Sequence, residues 1–281
     1  MIKTPLSTVI GGAFWTPGAT IIGSSSKNLS QLIKSLFSLG EQGFAYDPND
    51  LSTLYQDAAG TIPVTAAGQP VGLMKDKSGR NNHASQTVSA SRPILQRNAT
   101  TGAYYLAFDG VDDFLQTNNI DFTATDKVSL FAGVRKLSDA ATAILAELSS
   151  DTNLNNGAFY IAAPISASPT ISFASKGTLN ARTDISGYAA PTSIVTTMQG
   201  QISTDRNIVR VNGLQKGSTS NNQGTGNYGN YPLYIGRRGG TQLPFNGHIY
   251  GLIGIGRLTT DSETIALEKA IAKNTGVTLN V

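Results

Sequence analysis

Residues Tyr104–Thr117 read YYLAFDGVDDFLQT, and the pattern of the whole chain can be worked outward from them. Tyr104, Leu106 and Phe108 recur at a period of two, the mark of a strand with one face buried. Asp109-Gly110 follows, and glycine accepts the positive φ that a tight primed turn requires, so the spacing predicts a hairpin. Val111 to Leu115 then resumes an extended pattern, with Asp112 and Asp113 at the bend.

Similar short runs continue from Gln69 onward. Strands are predicted at 71–74, 94–96, 127–135, 143–147, 158–162, 170–174, 193–202, 208–211, 232–235 and 247–255, several at the even spacing of a β-sandwich. Asn212-Gly213 supplies a second hairpin turn. Two helices interrupt the β pattern. Asn28 can cap one from Leu29 to about Gly40, and Asp47-Pro48 can open a short helical turn at 50–55. Thr260 can cap another, with Asp261 and Glu263 at its positive end and Asn274-Thr275-Gly276 stopping it. With 30 glycines and 11 prolines in 281 residues, many turns are expected.

The totals exclude several classes. Lysine and arginine number 21 against 18 acidic residues, a net charge of +3 that is too weak to argue for nucleic acid. The chain has no cysteine, which excludes disulfides and thiolate metal sites. No apolar run approaches the roughly 20 residues of a membrane span, so no membrane insertion is expected.

Two resemblances follow from particular residues. The strand, the F-D-G-x-D-D of 108–113 and the next strand are similar to the opening of concanavalin A-like, laminin-G-like jelly rolls. Leu233-Tyr234-Ile235-Gly236 and Phe245-Asn246-Gly247-His248-Ile249-Tyr250 resemble their penultimate strands. The second resemblance begins at Gly40. Tyr46–Asp57 (YDPNDLSTLYQD), Gly60–Thr65, Asp76–Ala84 (DKSGRNNHA) and Arg92-Pro93 together resemble a module of bacteriophage and prophage virion proteins.

These resemblances imply an all-β jelly-roll sandwich over residues 44–281, preceded by an N-terminal arm and short helix over residues 1–43. The implied setting is the surface of a virion assembled in the host cytoplasm. The arm would bind other virion proteins, with Phe14, Trp15, Ile21 and Ile22 as candidate apolar anchors. Phage appendages of this kind are commonly trimers, so a homo-oligomer is expected.

Signs of catalysis are missing. Glycosidases need two carboxylates about 5 Å apart, or about 6.5–9.5 Å for inversion. Of the only glutamates, Glu41, Glu147 and Glu268 have no acidic residue two positions away, and Glu263 has Asp261 there only at the start of a predicted helix, not along a strand. Asp112 and Asp113 are adjacent, so a regular strand would point them to opposite faces. No nucleophile elbow or P-loop occurs. His83 and His248 are too few for a zinc centre, and His83 in its S-G-x-x-N-H-A turn reads as a hydrogen-bonding residue. Gly224–Gly229 matches G-x-G-x-x-G without a preceding strand or following helix. Asp151–Gly157 imitates a calcium loop but lacks its glutamate. No cofactor or resident metal is therefore predicted, with loop calcium left open.

The positive candidates lie between 221 and 242. Asn221, Asn222, Tyr228, Tyr231, Arg237, Arg238 and Gln242 combine rings with planar amides and guanidinium groups, the chemistry of a glycan surface. The competing reading is that Asn and Gly there are turn formers. The expected function is a non-enzymatic tail-fibre or head-appendage adhesin that contacts host-surface glycan. A capsid decoration or tail structural protein is the first alternative, and a carbohydrate-active enzyme the disfavoured second.

Overall fold

The computed structural model describes residues 8–10, 13–15 and 27–281, with side chains from residue 27. Strands β1 (Thr8–Ile10) and β2 (Ala13–Trp15) pair with each other. Phe14 and Trp15 therefore lie on β2, while Ile21 and Ile22 fall outside the described residues. Helix α1 (Leu29–Leu36) precedes β3 (Gly43–Tyr46), β4 (Leu54–Tyr55), β5 (Leu73–Met74) and β6 (Ala84–Ser85). Next come β7 (Ile94–Arg97), β8 (Tyr104–Asp109), β9 (Leu115–Asp121), β10 (Lys127–Lys136), β11 (Ile144–Leu148) and β12 (Ala158–Ala162). The chain continues through β13 (Ile171–Lys176), β14 (Asn180–Ile185), β15 (Thr192–Gln201), β16 (Arg206–Val211) and β17 (Leu214–Thr219). It closes with β18 (Asn230–Ile235), β19 (Asn246–Ile255) and α2 (Asp261–Thr275).

These strands form two antiparallel sheets. The first runs β17-β16-β15-β10-β19-β8-β7, with β3 added along the far half of β19. The second runs β14-β13-β12-β11-β18-β9-β6-β5-β4. Their inner faces meet in one core that includes Leu106, Phe108, Leu130, Val134, Ile249 and Leu252 from the first sheet. Leu115, Ile120, Phe159, Ile161, Phe173 and Leu233 enter it from the second. The fold is an all-β jelly-roll sandwich: the spacing of strands predicts the sandwich, and the resemblance implies the jelly roll.

The Asp109-Gly110 turn corrects one expectation. β8 and β9 do not pair: β8 bonds to β7 and β19 in the first sheet, and β9 to β18 and β6 in the second. The turn carries the chain across the sandwich. Asp109 Oδ1 accepts from the Val111 and Asp112 amides, and Asp113 Oδ2 accepts from the Asp109 amide at 3.0 Å. Gly110 takes a φ of 77°, with the Asn246 side chain where a Cβ would project. Turn chemistry was legible; which strands the turn joins was not.

The helix in the segment assigned to the arm belongs to the packed body. Asn28 caps α1 reciprocally with Gln31. Leu29, Ile33, Leu36 and Phe37 pack with Leu267, Ala270 and Ile271 of α2 over the outer face of the first sheet. The boundary at 43 thus does not follow the packing, because the helix buries its apolar stripe on the sandwich instead of standing alone. The D-K-S-G-x-x-N-H-A motif holds this junction. Asp76 accepts from the amides of Ala45, Ser78 and Asn82, and its own amide donates to His83 Nδ1 at 3.0 Å. Lys77 donates to Ser30 on α1 at 2.7 Å and to Asp50 at 2.5 Å.

Candidate functional site

The residues chosen from 221–242 do not form one surface. β18 separates them, and its six residues span roughly 20 Å. At one end, Asn221 and Asn222 are exposed, but Asn222 Oδ1 accepts from the Gly224 amide and closes a turn. Gln223 is buried and ties together Ser175, Gln201 and Arg206. Tyr228, expected to expose its ring, is 1% exposed, packs edge-on against Phe159 and sets its hydroxyl 2.6 Å from Ser175 Oγ. A ring that plugs the end of the sandwich cannot also stack on a sugar. Tyr231 is half-buried against the core, its ring lying over Gly229.

At the other end the loop after β18 folds back over the outer face of the second sheet. Arg238 is buried, 2.8 Å from Glu147 and 3.4 Å from Asp151, with its guanidinium over the Tyr160 ring. Glu147 also accepts from the Thr152 amide and hydroxyl. Burial raises the Glu147 carboxyl despite this pairing. Arg238 is thus a structural tie and not a free recognition group. Arg237 donates to the carbonyls of Asp112 and Thr241, and Gln242 remains exposed.

The other glutamates are similarly committed. Glu268 is buried between Arg210 and Thr197. Glu41 and Glu263 share Arg257, which holds the Glu263 carboxyl down at about 2. One acidic group stands apart: carboxylate oxygens of Asp109, Asp112 and Asp113 lie within 4.8 Å of one another, a spacing a cation could bridge. Asp113 titrates near 6, raised first by burial and then by its two acidic neighbours, against the Asp109 amide that lowers it.

The chemistry sought in the loops occurs on the outer face of the first sheet. Half of that face is sealed by α1 and α2 over Phe131, Val195, Ile253 and Ile255. The seam falls at Gly133, where a Cβ would meet Ile271 Cγ2 at 2.5 Å and Thr275 Cγ2 at 2.8 Å, and the β10–β19 register shifts there. Beyond the seam no helix among the described residues lies above the strands. Tyr105 stacks on His248 with centroids 4.1 Å apart and lies 5.0 Å from the Tyr250 ring. Gln96 pairs with Tyr105 across β7 and β8, and His248 pairs with Ala107 on one side and Arg135 on the other. Arg135 reaches Ser193 at 3.4 Å. Tyr250 is buried, its hydroxyl accepting from Asn98. Gln96, Tyr105, Arg135, Ser193 and His248 are only half-buried.

This bare half gathers rings, an amide and one guanidinium from separate strands. Among the described residues His248 Nδ1 is buried without a partner, and burial together with the Arg135 charge lowers the imidazole to about 4, so it is neutral at physiological pH. The sequence carried a faint trace of it. Tyr105 alternates out of phase with Tyr104, Leu106 and Phe108, and His248 and Tyr250 out of phase with Ile249.

Comparison of the sequence with protein-family models and with curated proteins gives no match. Solved structures do share the fold. A GH54 α-L-arabinofuranosidase soaked with a cyclic sulfate inhibitor aligns with a TM-score of 0.60 at 14% identity, covering 86% of this chain and 64% of that one. The botulinum neurotoxin serotype D ligand-binding domain, in complex with N-acetylneuraminic acid, gives 0.55 at 11% identity, covering 85% and 52%. The binding domain of botulinum neurotoxin DC, in complex with rat synaptotagmin II, gives 0.52 at 14%, covering 70% and 49%. The chain therefore spans about half the length of these neurotoxin domains. Identities this low establish the sandwich alone, and the three proteins differ in what they hold.

Proposed function

We propose that this chain is a non-enzymatic carbohydrate-binding protein of a bacteriophage or prophage virion, carried on a tail fibre or other appendage and contacting host-surface glycan. The observation that carries the binding reading is the bare half of the first sheet. Its rings suit the apolar faces of sugars, and its amide and guanidinium suit their hydroxyls. The fold supports it, since a domain of similar fold is known in complex with N-acetylneuraminic acid. The virion setting is supported by the motifs between residues 40 and 93. The absence of catalysis is supported by the four glutamates, each held by an arginine.

A Tyr105→Ala variant tests the binding reading. Loss of a stacking ring should weaken attachment to host cells or to purified envelope polysaccharide about tenfold, with little change in Tm. Unchanged attachment would remove this face from consideration.

A capsid-decoration role is favoured by a different feature. The outer groove between α1 and α2, about 590 Å³, is floored by Leu32, Ile265, Ala266 and Ala270 and rimmed by Lys27, Lys269 and Lys273. Labelled protein at the tail tip in micrographs supports the adhesin, and labelling across the head lattice supports decoration.

A further inference from the structure

We infer that the sugar recognised on the bare half carries a carboxylate, as in a uronic or nonulosonic acid, and that Arg135 is the residue that selects for it. This rests on the reading of that face as a carbohydrate surface. Arg182, Arg210, Arg238 and Arg257 are each paired with a carboxylate, while Arg80, Arg92, Arg97 and Arg237 donate to backbone carbonyls and Arg206 donates to the Gln199 side chain. Arg135 forms no such pair among the described residues, and its one side-chain partner is the neutral Ser193 hydroxyl. Its neighbours do not supply the missing charge. His248 beside it is neutral, and Tyr105, Gln96 and Ser193 carry none. Asp109 on β8 is paired with Asn246 beyond Ala107 and His248, and its carboxylate is turned into its own bend; Asp139, just past the end of β10, is taken up by Lys136 and the Ala190 amide.

A guanidinium on a half-buried face binds a carboxylate through two parallel hydrogen bonds, a geometry that neutral sugars cannot reproduce. The position also fits. Arg135 and Tyr105 stand two strands apart, with β19 between them, a separation of roughly 10 Å. One sugar chain can therefore rest against the rings while presenting its carboxylate to Arg135.

The full chain is titrated with oligogalacturonate and sialyllactose, and with the same sugars after reduction of their carboxyl groups to alcohols. The wild type should bind at least one acidic sugar about tenfold more tightly than its reduced form, and the preference should shrink at high salt. Arg135→Gln should erase the preference, Arg135→Lys should keep part of it, and Tyr105→Ala should weaken both forms alike. Equal binding of acidic and reduced sugars, or a preference that survives in Arg135→Gln, overturns the inference while leaving the carbohydrate surface intact. Binding of neither form by the wild type counts against the surface itself, and the inference falls with it.

Discussion

Phe131 and Arg135 leave β10 on the same side of the same sheet, and they meet opposite surroundings. Phe131 is wholly buried beneath α1 and α2, in a second core with Val195, Ile253 and Ile271. Arg135 stands past the seam at Gly133, half-buried beside a stacked Tyr105–His248 pair. The backbone ladder on either side is continuous, apart from the register shift at the seam. A sheet face is thus divided into a structural half and an available half by side-chain composition. Apolar side chains recruit the helices, and the ring-and-amide set leaves the remaining strands bare.

The strongest way to break this contrast is Phe131→Ala. Removing a buried ring from the sealed half should cost about 3–5 kcal/mol of stability in chemical denaturation. Glycan attachment per folded molecule should not change. A cost below about 1 kcal/mol would mean that the helices do not seal this half.

The seam itself is tested by Gly133→Ala. A methyl group there would press on Ile271 and Thr275, so α2 must shift or lift, at about 1–3 kcal/mol. Hydrogen exchange should rise along α2 and stay unchanged in β8. Protection unchanged throughout would show that the helix tolerates the methyl group and that Gly133 does not define the boundary.

A smaller effect is expected at the border of the bare half, where the Asp109–Asp113 turn lies. The Asp113 carboxyl titrates near 6 in the fold, above its ordinary 3.8. Its contribution to stability is therefore complete below about pH 4 and is lost as the pH rises through 6. Asp113→Asn keeps an acceptor for the Asp109 amide and removes the charge. Measured in chelator, the variant should match the wild type near pH 4 and exceed it by about 1–2 kcal/mol at pH 8. A variant less stable at pH 8 would show that the turn needs the carboxylate.

Much of the fold could be read locally, because its cues are local. Asn28, Thr260 and Gly276 bound their helices as caps, and Asn212-Gly213 turns β16 into β17 with φ values of 52° and 87°. β12 occupies Ala158–Ala162, the predicted range. His83 accepts a hydrogen bond within its turn, the role its motif suggested. What could not be read depends on partners distant in the chain. Tyr228 sits among glycines and amides, a loop composition, yet the space beside Phe159 and Ser175 draws its ring inward. Arg238 looked like a free cation until Glu147, far away in sequence, came to lie beneath it. The bare half is assembled from Gln96, Tyr105, Arg135 and His248 on four strands, so no single window of sequence contains it.

The crossing at Asp109-Gly110 also bears on how the chain reaches this state. Since β8 and β9 do not pair with each other, each has one early partner, β7 or β6, and a second made late: Asn246–Ile249 for β8 and Asn230–Ile235 for β9. Thr117 and the Leu233 amide it accepts from are separated by 116 residues. Contacts this remote in sequence carry a large loop-closure cost and favour slow folding. During synthesis, then, the joints between β10 and β8 and between β11 and β9 stay open until residues 230–255 have left the ribosome.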